Sequence, residues 1–133
     1  MTEPTLAAPA PLRVLVVDPD DRIRESLARL LPIGGRCLVV GSAGESDRAL
    51  DLASTINPDV VMVDSRLPAE DPEGHLIDRL RSAYPAARIV VLNRAGAGLP
   101  AGAVDGAHAY IKKTFRPHEL IDAVVNAARL PLA

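Results

Sequence analysis

Residues able to do chemistry fall in this sequence where short apolar runs stop. Asp18 follows one such run, with Asp20 and Asp21 just beyond it. Asp64 ends a second run, Asn93 and Arg94 a third, and Lys113 a fourth. Carboxylates gathered at one edge repel one another unless a hard cation or a lysine compensates. A carboxylate placed beside Mg²⁺ and a lysine can accept a phosphoryl group, because both cations stabilise the oxygens in transfer. Whether these side chains meet depends on the elements that carry them.

Leu12 to Val17 (LRVLVV) is apolar and β-branched, as expected of a strand buried on both faces. Asp18-Pro19-Asp20-Asp21 breaks it and can cap a helix. Ile23, Leu27, Leu30 and Leu31 then mark one helical face, ended by Pro32 and Gly34-Gly35. The unit repeats. Cys37 to Val40 reads as a strand and Asp47 to Ile56 as a helix. Asp59 to Val63 reads as a strand, His75 to Tyr84 as a helix and Arg88 to Leu92 as a strand. Ala109 to Lys112 is a short fifth strand, and Pro117 opens a final helix striped by Leu120, Val124 and Ala128. This alternation predicts an α/β domain with a parallel sheet covered on both faces. The doubly wound, flavodoxin-like strand order is 2-1-3-4-5, with ligands bound beyond the carboxyl ends of the strands. One unit departs from the pattern. Asn93 to Gly106 holds four glycines and Pro100 where a fourth helix belongs. At roughly 1 kcal/mol per glycine and about 3 for an interior proline, a full helix is disfavoured there.

Bulk properties exclude several classes. The 133 residues suit one core, and the 48% hydrophobic content fills it. A formal net charge of −2 gives no positive field to recruit nucleic acid. The single cysteine, Cys37, forbids an internal disulfide and fits a reducing, cytoplasmic setting. No apolar run approaches the roughly 18 to 20 residues of a membrane span. Residues 1–11 read as a disordered Ala/Pro-rich leader without the features of a signal peptide. Phe115, Tyr84 and Tyr110 are the aromatic residues, too few for a flavin pocket or a stacked-base platform.

The segment Pro58-Asp59-Val60-Val61-Met62-Val63-Asp64-Ser65-Arg66-Leu67-Pro68 resembles the phosphoacceptor strand of bacterial response-regulator receiver domains. Leu12 to Leu31 is similar to their first strand and helix, and Gly106 to Phe115 to their fifth strand. The resemblance covers residues 12–130 and implies the receiver-type five-stranded sheet. It makes Asp64 the phosphoacceptor and Lys113 the family's lysine. Asn93 and Tyr110 become the switch pair. Asp18, Asp64 and the backbone carbonyl of Arg66 become metal ligands, with Asp20 a further candidate. It implies a histidine kinase or phosphotransfer protein as donor and a downstream protein as target, with homodimerisation open. DNA and membranes are not expected partners.

The departures bear on activity. Pro19 stands where the family has a second acid after the first strand. Asn93 replaces the usual Thr or Ser, and its amide is longer and planar. Arg94 takes the place of a small residue. Ala69 to Gly74 lengthens the loop after Asp64, and Thr114 replaces a common proline. Asp18 and Asp64 against Lys113 and Arg94 balances charge without a metal. Weak Mg²⁺ binding is therefore expected, with Arg94 pairing to Asp64 at rest.

Plainer roles stand beside these. Asp20 and Asp21 suit helix capping; Asp64 suits a turn. Arg94 and Lys112 suit solvated surface. His75, His108 and His118 lack metal-ligand spacing, and Cys37 suits a small apolar core position. The leading reading is a phosphorylated receiver; residues 12–130 leave no room for an output domain in this sequence, so output is by protein–protein contact or the sequence is a fragment of a longer regulator. The alternative is a phosphorylation-independent docking module on the same fold. An enzyme is not expected. A haloacid-dehalogenase phosphatase would want an acid where Arg66 stands, and a flavodoxin a hydroxyl-rich loop after the first strand.

Overall fold

A computed structural model of the chain describes residues 10–67, 76–93, 107–112, 114 and 116–130. Its elements run β1 (Leu12–Val17), α1 (Asp21–Leu30), β2 (Cys37–Ala43), α2 (Ser46–Ile56) and β3 (Val60–Asp64). They continue with α3 (Leu76–Ala83), β4 (Arg88–Asn93), β5 (Ala109–Lys112) and α4 (Pro117–Ala127). The strands pair in parallel in the order β2-β1-β3-β4-β5, as the alternating pattern predicts. Leader residues 1–9, the loop 69–74, His75 and the glycine-rich stretch 94–106 lie outside the described residues, and so does the expectation of a degenerate fourth helix.

The apolar runs are unbroken because the sheet is buried on both faces. Successive side chains alternate. Val14, Val16, Val60, Met62, Val90 and Leu92 pack with Leu27, Leu31, Leu120 and Val124 on one side. Leu15, Val17, Val61, Val63, Ile89 and Val91 pack with Ala49, Ala53, Leu76 and Leu80 on the other. Each fully buried Val, Leu or Ile contributes about 1.5–3 kcal/mol. Cys37 is buried in the first of these layers, as expected.

Strand β2 runs three residues past its expected end. The β1–β2 register jumps from Val14↔Val39 to Leu15↔Gly41, so Val40 is the extra residue of a bulge. A Cβ on Gly41 would lie 2.6 Å from Ile56 Cδ1, so α2 packs here because residue 41 has no side chain. The α2–β3 turn puts Asn57 in the left-handed region at φ 53°, which asparagine tolerates, and Pro58 follows. No helix among the described residues is long and apolar enough to cross a membrane.

Candidate functional site

Sheet register brings the strand-end residues together. Val17 pairs with Val63, so the next residues, Asp18 just past β1 and Asp64 at the end of β3, emerge side by side. Asp64 pairs with Leu92, which sets Asn93 one step further out on β4. Asn93 in turn pairs with Lys112 on β5. Lys113, the next residue, and Arg94 lie outside the described residues.

Among the described residues, Asp18 and Asp64 are the buried charged ones, at 1% and 3% exposure. Two carboxylates withdrawn from water need positive charge and hydrogen bonds. Among the described residues, Arg66 supplies both. Arg66 Nε donates to Asp64 Oδ1 at 2.9 Å, and Nη2 donates to Asp18 Oδ1 at 3.2 Å and Asp64 Oδ2 at 3.4 Å. The Arg66 backbone N–H adds a bond to Asp64 Oδ1 at 2.8 Å, where residues 66 and 67 begin a helical turn. The guanidinium pKa rises above its already high ordinary value. The hydrogen bond it donates to Asp64 is the main cause, with the charges of Asp64, Asp18 and Asp20 also raising it and burial opposing them.

The acidic cluster after β1 divides its labour. Asp18 N–H donates to Ala43 O at 3.0 Å, and Asp18 Oδ1 accepts the Asp20 N–H at 2.8 Å. Pro19 thus sits inside an Asx-type turn, where a fixed φ is useful and its missing N–H costs nothing. Asp20 is the N-cap of α1, its Oδ1 accepting from Arg22 N at 2.8 Å and Ile23 N at 3.4 Å. Asp21 pairs with Arg24, whose Nη1 also donates to Asp18 O at 2.6 Å. Capping therefore accounts for Asp20, although its charge still acts on Arg66.

On the other flank, Ser65 Oγ donates to Asn93 Oδ1 at 3.2 Å. With its oxygen engaged there, the amide's other end is a pair of N–H donors. Tyr110 stands on β5 at 51% exposure, beside an open groove lined by Lys112, Thr114, Arg116 and Glu119.

The donor set is a poor match to a divalent metal as it stands. Asp18 and Asp64 are two hard oxygen donors, and the carbonyl of Arg66 could be a third. Pro19 supplies no carboxylate, Asp20 Oδ1 caps α1, and a guanidinium already sits between the two buried acids. No group of three His, Cys, Asp or Glu among the described residues could hold a metal ion.

Sequence reasoning placed Asp18, Asp64 and Asn93 correctly at neighbouring strand ends. It assigned Arg66 only a backbone role and missed its ion pairs with Asp18 and Asp64; the expected pairing of Arg94 with Asp64 lies outside the described residues. Ser65 was also missed. The available signal was a cation two residues after a strand-end aspartate, within reach of an Asx turn.

Comparison with known proteins gives one consistent answer. A family model described as the response regulator receiver domain matches residues 14–125. Response regulator MprA of Mycolicibacterium vanbaalenii is 37% identical over 117 residues, covering 84% of this chain and 48% of that protein. A protein-glutamate methylesterase/protein-glutamine glutaminase of Myxococcus xanthus is 42% identical over 81 residues, 61% of this chain but 22% of the enzyme. The chain thus spans about half or less of these two relatives. Among solved structures, the signal receiver domain of a NarL response regulator from Mycobacterium tuberculosis superposes with a TM-score of 0.76. It is 30% identical, and the match covers 91% of this chain and 98% of that one.

Proposed function

Because this chain belongs to the response-regulator receiver family, we propose that its Asp64 is the phosphoacceptor of a two-component relay. Receiver domains of this family are phosphorylated on aspartate, generally with Mg²⁺, and connect histidine kinases to downstream effectors. The observation that carries the assignment is a buried carboxylate at the carboxyl end of the central strand β3, held beside Asp18 by one guanidinium.

An Asp64 oxygen attacks phosphorus in line with the leaving group, forming a P–O bond and a mixed acyl phosphate. The P–N bond of a partner's phosphohistidine breaks, and its electron pair stays on the imidazole. With an acyl-phosphate donor, the P–O bond breaks instead and the pair leaves on the carboxylate. Asn93 offers N–H donors towards the incoming phosphoryl oxygens from the end of β4, and Lys113, the residue that follows β5 in the sequence, adds positive charge. Tyr110, exposed on β5, reports the change to the groove beside α4, where a downstream protein or a second copy docks. Few kcal/mol separate the states of such a switch. The setting is the cytoplasm, with residues 1–11 a leader to the 12–130 domain. No enzymatic reaction of its own is assigned to the chain, because the methylesterase relative matches it over only 22% of the enzyme.

Intact mass after incubation with a small acyl phosphate and Mg²⁺ tests this on the wild type and Asp64→Asn. A phosphoryl adduct on the wild type alone is expected. No adduct on a folded wild type would point to a phosphorylation-independent docking module.

A further inference from the structure

We propose that the Arg66 guanidinium is a built-in counter-ion filling the cation position between Asp18 and Asp64, so that divalent-metal binding and phosphorylation both require its displacement. The second half of this inference rests on Asp64 being the acceptor; the first does not.

Geometry makes the case. A hard cation shared by the two acids would have to lie between Asp18 Oδ1 and the Asp64 carboxylate. Arg66 Nη2 already spans that gap, at 3.2 Å from one and 3.4 Å from the other. The backbone N–H and Nε of Arg66 both point at Asp64 Oδ1, at 2.8 and 2.9 Å. One carboxylate oxygen offers about two lone-pair sites, so the Oδ1 acceptor capacity is taken. The longest of these contacts is the 3.4 Å one to Oδ2. The carboxylates are fixed at strand ends and are 1% and 4% exposed as side chains. The arginine side chain is 41% exposed, so it can trade both acids for water at modest cost. Its departure takes one cation away from two buried carboxylates, which a hard dication satisfies better than water does. Arginine and Mg²⁺ are thus mutually exclusive occupants, and that competition is a negative coupling of the usual allosteric size.

The test is a magnesium chloride titration by calorimetry on the wild type, Arg66→Met and Arg66→Lys, with unfolding midpoints measured with and without the metal. Methionine keeps part of the aliphatic stem and removes the charge. Lysine keeps the charge but cannot bridge bidentately. Arg66→Met is expected to bind Mg²⁺ about tenfold tighter than wild type and to gain more thermal stability from it. Arg66→Lys falls between the two. Should Arg66→Met destabilise the fold, Arg66→Lys still decides, since it is expected to bind Mg²⁺ more tightly than wild type. Equal Mg²⁺ affinity in all three proteins would overturn the proposal. Tight binding by Arg66→Met without any phosphoryl adduct would instead leave the counter-ion in place and remove Asp64 as acceptor. A wild-type adduct with no metal gain in Arg66→Met would do the reverse.

Discussion

Arg66 reaches from the end of β3 to Asp18 at the end of β1, Nη2 to Oδ1 at 3.2 Å, while its Nε holds Asp64 at 2.9 Å. Arg66 thereby bonds a residue 48 positions earlier in the chain and neutralises part of the buried charge at the ends of the central strands. The neighbouring strand ends create the need for that cation, and the Asx-type turn at Asp64 aims it. The ordinary consequences are measurable.

Removing the clamp destabilises the metal-free fold. Arg66→Ala leaves Asp18 and Asp64 buried without their shared donor. Because the arginine is itself partly exposed, the expected cost is about 1–2 kcal/mol rather than that of breaking a fully buried pair. Urea unfolding in chelator shows it as a lower midpoint at unchanged slope. A midpoint equal to wild type would mean that water replaces the guanidinium without loss.

Pro19 is the departure that removes a carboxylate, and Pro19→Asp restores one. This variant is expected to bind Mg²⁺ several-fold tighter by calorimetry, with Asp18→Asn losing the gain. Wild-type affinity near millimolar or tighter, abolished in Asp18→Ala, would show that Asp18, Asp64 and the Arg66 carbonyl suffice without the second acid.

Asp20 separates capping from ligation. Asp20→Ala removes the acceptor for the Arg22 and Ile23 N–H groups and costs about 1 kcal/mol, whereas Asp20→Ser keeps the cap and most of the stability. Mg²⁺ binding is expected to be the same in wild type and Asp20→Ser. A selective loss in Asp20→Ser would make Asp20 a ligand as well as a cap.

Cys37 gives a pH dependence with a definite sign. Burial pushes its thiol above the ordinary 9.0, with the Arg36 charge pulling the other way. A raised folded-state pKa favours the protonated thiol in the folded protein. Its contribution is complete below the unfolded-state value and fades as pH rises through that value towards the folded one. Stability is expected to fall above about pH 9 in the wild type and less so in Cys37→Ala. Native Cys37 should resist a thiol reagent at pH 8 and react on unfolding. Parallel alkaline profiles would remove Cys37 as the cause.

Much of this was legible in the sequence because the core is periodic. Strand β1 and strand β5 have the bounds their apolar runs predict, and the strand order follows from alternation with helices. Strand β2 was read short because Gly41-Ser42-Ala43 carries no strand signal; the bulge at Val40 and the fit of Gly41 against Ile56 keep it paired. Asp18, Asp64 and Asn93 were readable because a strand end fixes where a short side chain starts. Arg66 was not. Its long side chain has several torsions, and where the guanidinium lands depends on the turn at Asp64 and on two charges distant in sequence. Ser65 was missed for a related reason, since its partner Asn93 is supplied by another strand.

The most direct test of the account is to locate the phosphoryl group itself. Borohydride reduction of the acyl phosphate converts the acceptor aspartate to homoserine, which fragment mass spectrometry assigns to a residue. Asp64 is expected to be converted, and Asp18 and Asp20 to remain aspartate. Homoserine at Asp18, or at neither strand end in a folded protein exposed to donor and Mg²⁺, would contradict the assignment.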